Sequence, residues 1–220
     1  MKVTLLNVTS NAEDHIVEVA RVSSSRKNKK DKPEGLLRYL VQHKHWSPFE
    51  HGHATFEIET SKAIGIQILR HRSFSFQEFS QRYQDVNRLG DIFEPLELRA
   101  QCEDNRQSST EIITPDLYRD FNTGLKSYTA QQVINKHFRD AHTLYNDLLE
   151  AGVAREQARM VLPLATTTKI HMTGSIRSWI HFLELRDDSH AQKEIQLIAK
   201  EIKKYFIKEF PIISNSLNYE

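Results

Sequence analysis

The segment from His53 to Glu59 most strongly limits the folds open to this chain, because its apolar and polar residues alternate without a break. Ala54, Phe56 and Ile58 fall on one face of an extended strand, and the residues between them fall on the other. An alternation of this kind is typical of a strand that is buried on one face. Any fold for this chain must therefore include a sheet.

Helical patterns accompany this strand along most of the chain. Core stripes with the helical period predict helices over residues 12–22, 33–43, 62–71, 121–150, 155–162 and 175–185, and a last helix with Ile195, Ile198, Ile202 and Phe206 inward. Short strands are predicted at residues 3–8 and 166–173. The order does not repeat the strand–helix–strand unit of a doubly wound sheet. We therefore expect an α+β fold, a single domain over residues 1–220 with a small, mostly antiparallel sheet and long helices.

The sequence also predicts where some helices begin and end and where loops lie. Asn11 is the expected N-terminal cap of the first helix, and Gly152 is the expected stop of the long helix, which Gly124 would interrupt near its start. Residues 98–116 mix charges, Ser and Thr without a period and are predicted to be a loop, as are the polar and basic residues 23–32.

Charge and cysteine content exclude several function classes. Lys and Arg number 30 against 29 Asp and Glu, so the chain has no wide field that would attract nucleic acid or an anionic membrane. No apolar run approaches the length of a membrane span. Cys102 is the single cysteine, so an internal disulfide is impossible. We expect a soluble, cytoplasmic protein without a nucleic-acid or membrane partner.

The chemistry-bearing residues concentrate between Arg70 and Tyr83. If residues 78–82 are extended, Glu78, Ser80 and Arg82 project to one side of the strand. Guanidinium groups bind two oxygens of a phosphate or carboxylate in a fixed plane, and a serine hydroxyl adds a further donor. The stretch therefore indicates a local anion site, although an isolated basic triplet is more often a solvated turn.

The longer pattern in this stretch resembles a known family. Arg70-His71-Arg72, then seven residues, then Ser80, followed by Arg82-Tyr83, is similar to the signature of the flavin-dependent thymidylate synthases. Blocks similar to other family motifs occur in the family's order at residues 45–51, 155–163 and 174–192. Four ordered matches extend the resemblance over nearly the whole chain.

The resemblance implies contacts for each ligand at named positions. Contacts with dUMP are implied for Gln67, Arg70, Glu78, Ser80, Arg82, Arg159 and Arg186. Contacts with FAD are implied for Ser47, Glu50, Arg70, His71, Arg72, Glu78, Ser175, Arg177, His181 and His190. The chain departs from the family at Gln77, where many members have Asn, and at Ser175 and His181, which are Asn in some members.

The resemblance also implies a reaction and an assembly. Family members convert dUMP to dTMP with methylenetetrahydrofolate as carbon donor and with FAD that NADPH has reduced, and they are homotetramers whose sites draw on several subunits. Arg186 is the expected catalytic residue, because a guanidinium at the pyrimidine edge would stabilise negative charge on the ring. Cys102 lies in a polar segment without a neighbouring His, so we expect no cysteine nucleophile.

Two interpretations from other classes compete with this one. The interleaved Arg, Phe and Tyr residues between Arg70 and Tyr83 could clamp single-stranded RNA. His43, His45, His51 and His53 could bind a divalent metal in a hydrolase, but no Cys or suitably spaced carboxylate completes that set. Their flanking residues match the flavin block instead, so we expect no metal site.

Overall fold

The computed structural model describes residues 1–23, 33–105, 108–121 and 124–219, and most of the loop predicted at residues 23–32 lies outside them. The strands are β1 (Lys2–Val8), β2 (His53–Ser61), β3 (Phe74–Glu78), β4 (Arg99–Gln101), β5 (Ser109–Ile112), β6 (Asp116–Arg119), β7 (Lys126–Thr129) and β8 (Thr167–Ser175). The α-helices are α1 (Ala12–Arg21), α2 (Pro33–Gln42), α3 (Lys62–Ile68), α4 (Ala130–Glu150), α5 (Arg155–Ala158), α6 (Ile176–Arg186), α7 (Lys193–Glu209) and α8 (Pro211–Ser216). Short 3-10 turns occur at Ser47–His51, Val86–Leu89 and Arg159–Val161.

The chain divides into two compact units. Unit 1 comprises Met1–Glu59, Ile64–Glu78 and Lys169–Glu220, and unit 2 comprises Thr60–Ala63 and Phe79–Thr168. Each unit has a buried apolar cluster of its own.

The main sheet has the strand order β1-β2-β8-β3. β1 pairs antiparallel with β2, and β3 pairs antiparallel with β8. On β2, Ala54, Phe56 and Ile58 are buried while Thr55 and Glu57 are only partly covered, so the alternation predicted for this strand is confirmed. The α+β class and the antiparallel pairing are confirmed with it.

Helix α6 is fixed on the apolar face of this sheet by aromatic packing. The ring of Trp179 contacts Phe56 and Phe74 edge to face, at centroid distances of 4.8 and 4.6 Å, and its Nε1 donates to the carbonyl of Ala54. Ser175 begins the helix as an N-cap, because its side chain accepts the backbone N–H of Ser178 at 3.2 Å. The helix predicted at residues 175–185 is confirmed, and α6 holds its polar residues in a fixed position.

The ring of Phe74 on β3 lies very close to the backbone of the neighbouring strand β8. Phe74 pairs with Gly174 in the register of β3 and β8. A Cβ atom at position 174 would lie 2.4 Å from Cδ1 of Phe74, which is closer than real atoms approach. Only glycine lets the ring lie against the neighbouring strand here.

Unit 2 corrects the predictions for residues 98–129. β4 pairs with β5 and β6 pairs with β7, where a loop and the start of a helix were expected. The long helix begins at Ala130, because Thr129 and Gln132 form a capping box that satisfies the first backbone donors. Gly124, at φ 81°, precedes β7 and does not interrupt a helix. The predicted stop at Gly152 is confirmed, since α4 ends at Glu150 and Gly152 has φ 83°.

Two further boundaries differ from expectation. Asn11 occupies the predicted N-cap position of α1, but it adopts a left-handed conformation and its side chain makes no capping hydrogen bond. Helix α3 ends at Ile68, earlier than predicted. Arg70 and His71 consequently lie in the short connection before β3, where their side chains are not confined to a helix face.

Candidate active site

The C-terminal end of α6 meets the connection between α3 and β3 in unit 1. There Nε of Arg186 donates a hydrogen bond to Nε2 of His71 over 2.9 Å. His71 is 8% exposed, and its ring packs edge to face against Phe182 at a centroid distance of 4.9 Å. Because Nε2 accepts, the neutral ring carries its proton on Nδ1. His71 therefore orients the guanidinium of Arg186 without neutralising it.

The electrostatics of His71 favour this neutral state. Burial, followed by the positive charges of Arg186 and His181, lowers the pKa of His71 from an ordinary 6.5 to about 4. The imidazole is therefore uncharged at neutral pH and remains available as an acceptor.

A second guanidinium stands near the first. Burial, and then the charge of Arg70, lower the pKa of Arg186. Arg70 is exposed and Arg186 is half-buried, and neither forms an ion pair within the part of the chain that the structure describes. Two cationic groups without a carboxylate partner make this region of unit 1 suited to an anion or to electron-rich carbonyl oxygens.

Two other predicted dUMP contacts belong to the same unit. Gln67 on α3 donates from Nε2 to Oε1 of Gln192, just before α7, over 2.5 Å. Glu78 is the last residue of β3 and is half-buried. The sequence prediction for these residues stays a prediction.

A cavity of about 490 Å³ opens beside α6 in unit 1. Its walls combine an indole and an aliphatic side chain with cationic, acidic and hydroxyl groups, from Trp46, Glu50, Ser73, Arg177, Ser178, Ile180, His181 and Glu184. The spacing of Arg177, His181 and Glu184 places them on one face of the helix. The cavity thus offers apolar walls for a planar ring and donors for charged oxygens.

Glu50 organises one side of this cavity. Its carboxylate accepts a hydrogen bond from Oγ of Ser175 at 2.5 Å and from Nη1 of Arg177 at 2.8 Å. The Ser175 bond is the largest cause that lowers the pKa of Glu50, and Arg177 adds to it. Predicted flavin residues from the 3-10 turn and from α6 are therefore joined in one hydrogen-bonded group.

Other predicted flavin residues are exposed. Ser47 lies in the 3-10 turn beside Trp46, and Arg72 precedes the cavity residue Ser73. His190 lies at the surface, with Nδ1 2.7 Å from Oδ1 of Asp188. Gln77 is exposed on β3.

Unit 2 contains the second group of predicted dUMP residues. The chain is not extended from Glu78 to Arg82, because β3 ends at Glu78 and the carbonyl of Ser80 accepts the N–H groups of Tyr83 and Gln84. The expected row of side chains along a strand is thus wrong, and Ser80 and Arg82 belong to a turn. Gln81 is buried.

Arg82 and Arg159 converge on one residue in this unit. Nη2 of Arg82 lies 3.6 Å from Oε2 of Glu156, and Nε of Arg159 donates to the carbonyl of Glu156 over 3.3 Å. The sequence prediction assigned both arginines to dUMP but did not include Glu156, although Glu156 lies between Arg155 and Arg159 in a block that resembles a family motif. Its acidic side chain between two arginines was the available signal.

The histidine cluster gives no metal geometry. His43 and His45 are exposed, and their ring centroids lie 6.0 Å apart beside Tyr39. Across residues 1–23, 33–105, 108–121 and 124–219, no group of three or more His, Cys, Asp or Glu could hold a metal ion. Within those same ranges, every helix is too short or too polar to cross a membrane.

Comparisons with known proteins agree with the motifs. The family model described as thymidylate synthase complementing protein matches residues 4–212. A probable flavin-dependent thymidylate synthase of Paramecium bursaria Chlorella virus 1 is 41% identical, with all of both chains covered. A flavin-dependent thymidylate synthase of Synechocystis sp. is 40% identical over 94% of this chain and 90% of its own length.

A solved structure is similar over the same extent. The crystal structure of a UMP/dUMP methylase from Streptomyces cacaoi, bound with 5-Br UMP, has a TM-score of 0.77 and 29% identity, and the match covers 99% of this chain and 93% of that chain. The chain therefore belongs to the flavin-dependent thymidylate synthases, the enzymes that methylate dUMP, and the family predicted from its four sequence blocks is confirmed.

Proposed function

We propose that this chain converts dUMP to dTMP with FAD as its bound cofactor, methylenetetrahydrofolate as the carbon donor and NADPH as the reductant. Family membership supports the reaction and the flavin. The observation that carries the proposal is the hydrogen bond from Arg186 to the buried His71, with Arg70 close by. This arrangement presents a fixed, uncompensated positive charge, which is what activation of a pyrimidine requires.

The proposal assigns each ligand to the residues predicted from the motifs. The dUMP residues are Gln67, Arg70, Glu78, Ser80, Arg82, Arg159 and Arg186. The FAD residues are Ser47, Glu50, Arg70, His71, Arg72, Glu78, Ser175, Arg177, His181 and His190. We further propose a homotetramer whose sites are shared between subunits, acting in the cytoplasm, where a chain with one free cysteine meets reducing conditions.

The chain acts as one functional domain in this proposal. The family match is continuous from residue 4 to residue 212 and so includes residues of both compact units. The residues proposed to bind the phosphate belong to unit 2, and the residue proposed to face the pyrimidine belongs to unit 1.

The cavity beside α6 fits a flavin chemically. Trp46 and Ile180 supply apolar walls of the kind that pack against a ring system, and Arg177 and His181 supply donors for phosphate or carbonyl oxygens. Glu50 holds Arg177 in place. When bound, reduced FAD supplies the hydride that the conversion of dUMP to dTMP requires.

Arg186 is the proposed catalytic residue. Its Nε is engaged by His71, so its terminal Nη1 and Nη2 groups remain to face the pyrimidine. Negative charge that develops on the O4 and N3 edge of the ring is stabilised by these donors, which makes C5 more nucleophilic. Because the guanidinium is already oriented, little reorganisation is needed when the charge develops.

Phosphate binding follows from the unit 2 arginines. Arg82 pairs with Glu156 at 3.6 Å across an exposed contact, which a phosphate dianion can replace. Arg159 and the hydroxyl of Ser80 complete the proposed anion site. Cys102, in the polar hairpin of β4 and β5, takes no part, so the reaction proceeds without a cysteine nucleophile.

The direct test is formation of dTMP by the purified protein, with dUMP, FAD, NADPH and methylenetetrahydrofolate present or omitted one at a time. We expect product only with the complete set, and a flavin absorbance that bleaches when NADPH and dUMP are added. Product without FAD, or no product with the complete set, would overturn the proposal. Salt-dependent RNA affinity in a colourless preparation would favour an RNA-binding function instead.

A further inference from the structure

Tyr145 of α4 belongs to the buried cluster of unit 2. Its side chain is fully buried and packs in one cluster with Val86 and Ala158, which are also fully buried. Val86 follows Arg82 by four residues, and Ala158 directly precedes Arg159. A single tyrosine ring thus supports both chain segments to which the proposed phosphate arginines are attached.

The hydroxyl of Tyr145 adds a directional contact to this packing. It donates to Oδ1 of Asp85 over 3.5 Å. The same Oδ1 accepts the backbone N–H of Asn87 at 2.9 Å. The Tyr145 hydroxyl therefore fixes the start of the 3-10 turn that follows the Ser80–Gln84 turn.

Neighbouring residues of α4 hold the same 3-10 turn from one side. Nε2 of His142 lies 2.8 Å from Oδ1 of Asn87, and Nδ2 of Asn87 donates to Oδ1 of Asn146 over 3.2 Å. His142, Tyr145 and Asn146 lie within about one turn of a helix. The contacts of Tyr145 are thus part of a rigid support and do not depend on one long hydrogen bond.

We infer that Tyr145 is a positioning residue for phosphate recognition, and that it sets the separation of Arg82 from Arg159 through Asp85 on one side and Ala158 on the other. The inference rests on the proposed function. A phosphate that binds two guanidiniums requires both at a defined distance, because each bidentate contact has a fixed geometry. Tyr145 thereby contributes to the preference for a nucleotide over a nucleoside without touching either.

The variant Tyr145→Phe tests this role, because it keeps the ring and removes only the hydroxyl. We expect the KM for dUMP to rise about fivefold to tenfold, the loss of one buried hydrogen bond, with kcat within about twofold of the wild-type value. The KM for methylenetetrahydrofolate and the bound FAD per chain should not change. Tyr118→Phe is the matched control, since Tyr118 is exposed on β6 of the same unit.

A double-mutant cycle separates positioning from general destabilisation. If Tyr145 acts through the arginines, Tyr145→Phe should add little to the KM effect of Arg159→Ala. Full additivity of the two effects would overturn the inference. So would a Tyr145→Phe protein in which kcat, FAD content and KM all deteriorate together, because a damaged core affects every ligand.

A second variant covers the case in which Tyr145→Phe does not fold. Asp85→Asn keeps the size of the side chain and weakens its acceptor, and the same rise in KM for dUMP alone is expected. The arginine variants distinguish a failure of this inference from a failure of the proposed function.

If Arg82→Ala and Arg159→Ala raise the KM for dUMP while folded Tyr145→Phe and Asp85→Asn do not, only the inference is wrong. If the arginine variants leave the KM unchanged, the proposed phosphate site is wrong, and the inference falls with it.

Discussion

Nε of Arg186 and Nε2 of His71 lie 2.9 Å apart, in a hydrogen bond between the last residue of α6 and the connection that precedes β3. An arginine is more often held by a carboxylate, which would cancel its charge. A neutral imidazole supplies orientation alone, so the positive charge of Arg186 stays available to a ligand.

Replacement of Arg186 should affect the chemical step more than the cofactor. Arg186→Ala is expected to lower kcat by about 100-fold or more, the usual loss when a donor to developing charge is removed, while FAD remains bound. Single-turnover assays and flavin absorbance of the purified protein measure the two quantities. Arg38→Ala is the control, because Arg38 pairs with Glu34 on the exposed face of α2. An Arg186→Ala enzyme with wild-type turnover removes this residue from the mechanism.

The pKa of His71 predicts a pH dependence of stability. It is about 4 in the folded chain against an ordinary 6.5, so between these values the unfolded chain binds more protons than the folded chain. The free energy of unfolding should fall as the pH is lowered from 6.5 towards 4. In His71→Gln, which keeps an acceptor for Arg186 but does not titrate, urea unfolding at successive pH values should show a smaller fall.

Two variants of His71 test whether its hydrogen bond to Arg186 matters for the reaction. His71→Gln should retain more activity than His71→Leu, because the glutamine carbonyl can still accept from Arg186, whereas leucine leaves its Nε without a partner. Equal turnover of the two variants would show that the hydrogen bond does not matter.

Removal of either unit 2 arginine should weaken binding of the nucleotide. Arg82→Ala or Arg159→Ala is expected to raise the Kd of dUMP by about tenfold, as lost charge-assisted hydrogen bonds do, and to leave FAD binding unchanged. Arg119→Ala, at an exposed position of β6, is the control. Parallel titration of the wild-type protein with deoxyuridine, which lacks the phosphate, checks that the phosphate is the group bound. Equal affinity for dUMP and deoxyuridine would show that no phosphate contact is made.

Loss of the Glu50 carboxylate should weaken the cavity beside α6. Glu50→Gln cannot accept from both Ser175 and Arg177 as a charged group, so Arg177 is released. We expect the purified variant to contain less FAD per chain and to recover activity at higher added FAD. Glu34→Gln, on the exposed face of α2, should leave the FAD content unchanged. A Glu50→Gln protein with full FAD content contradicts the flavin assignment of this cavity.

The contact of Gly174 with Phe74 predicts a loss of stability. A methyl group at position 174 would lie 2.4 Å from the Phe74 ring, so Gly174→Ala should lower the free energy of unfolding by about 1–3 kcal/mol through overpacking. Gly35→Ala is the control, because it should change the free energy of unfolding in the opposite direction. Gly35 is in α2 with nothing within 4 Å of its added Cβ, and alanine there should raise stability by about 0.5–1 kcal/mol. Chemical denaturation measures both changes.

Elements with a strong local signal were predictable from the sequence. The strand around Phe56 and the helix capped by Ser175 each bury one face of a regular pattern. The hairpins of unit 2 were not, because strands such as β5 and β7 have four residues that are mostly exposed and show no alternation. The start of α4 was missed for a different reason. The capping box that begins α4 consists only of Thr129 and Gln132. The helical pattern predicted from residue 121 onwards outweighed this two-residue signal.

The candidate site also contains features that the sequence predicted and features that it could not predict. Residue types and the family resemblance predicted the phosphate arginines, since phosphate chemistry restricts the choice of side chain, and that assignment stays a prediction. The partner of Arg186 could not be predicted, because His71 is 115 residues away along the chain and the contact depends on how α6 packs in unit 1. Glu156 was missed although it lies in the block at residues 155–163, because its contact with Arg82 depends on how unit 2 folds. Tyr145 was missed because it lies outside the matching blocks.

In the proposed phosphate site, the carboxylate of Glu156 competes with the phosphate for Arg82. It is tethered within the same unit as Arg82, so its effective concentration does not fall when the protein is diluted. An incoming ligand must displace it, and an uncharged nucleoside offers Arg82 nothing in exchange. In this proposal the pair thus favours charged ligands over uncharged ones at Arg82, and Glu156 restricts the positions that the arginine side chain samples before a ligand binds.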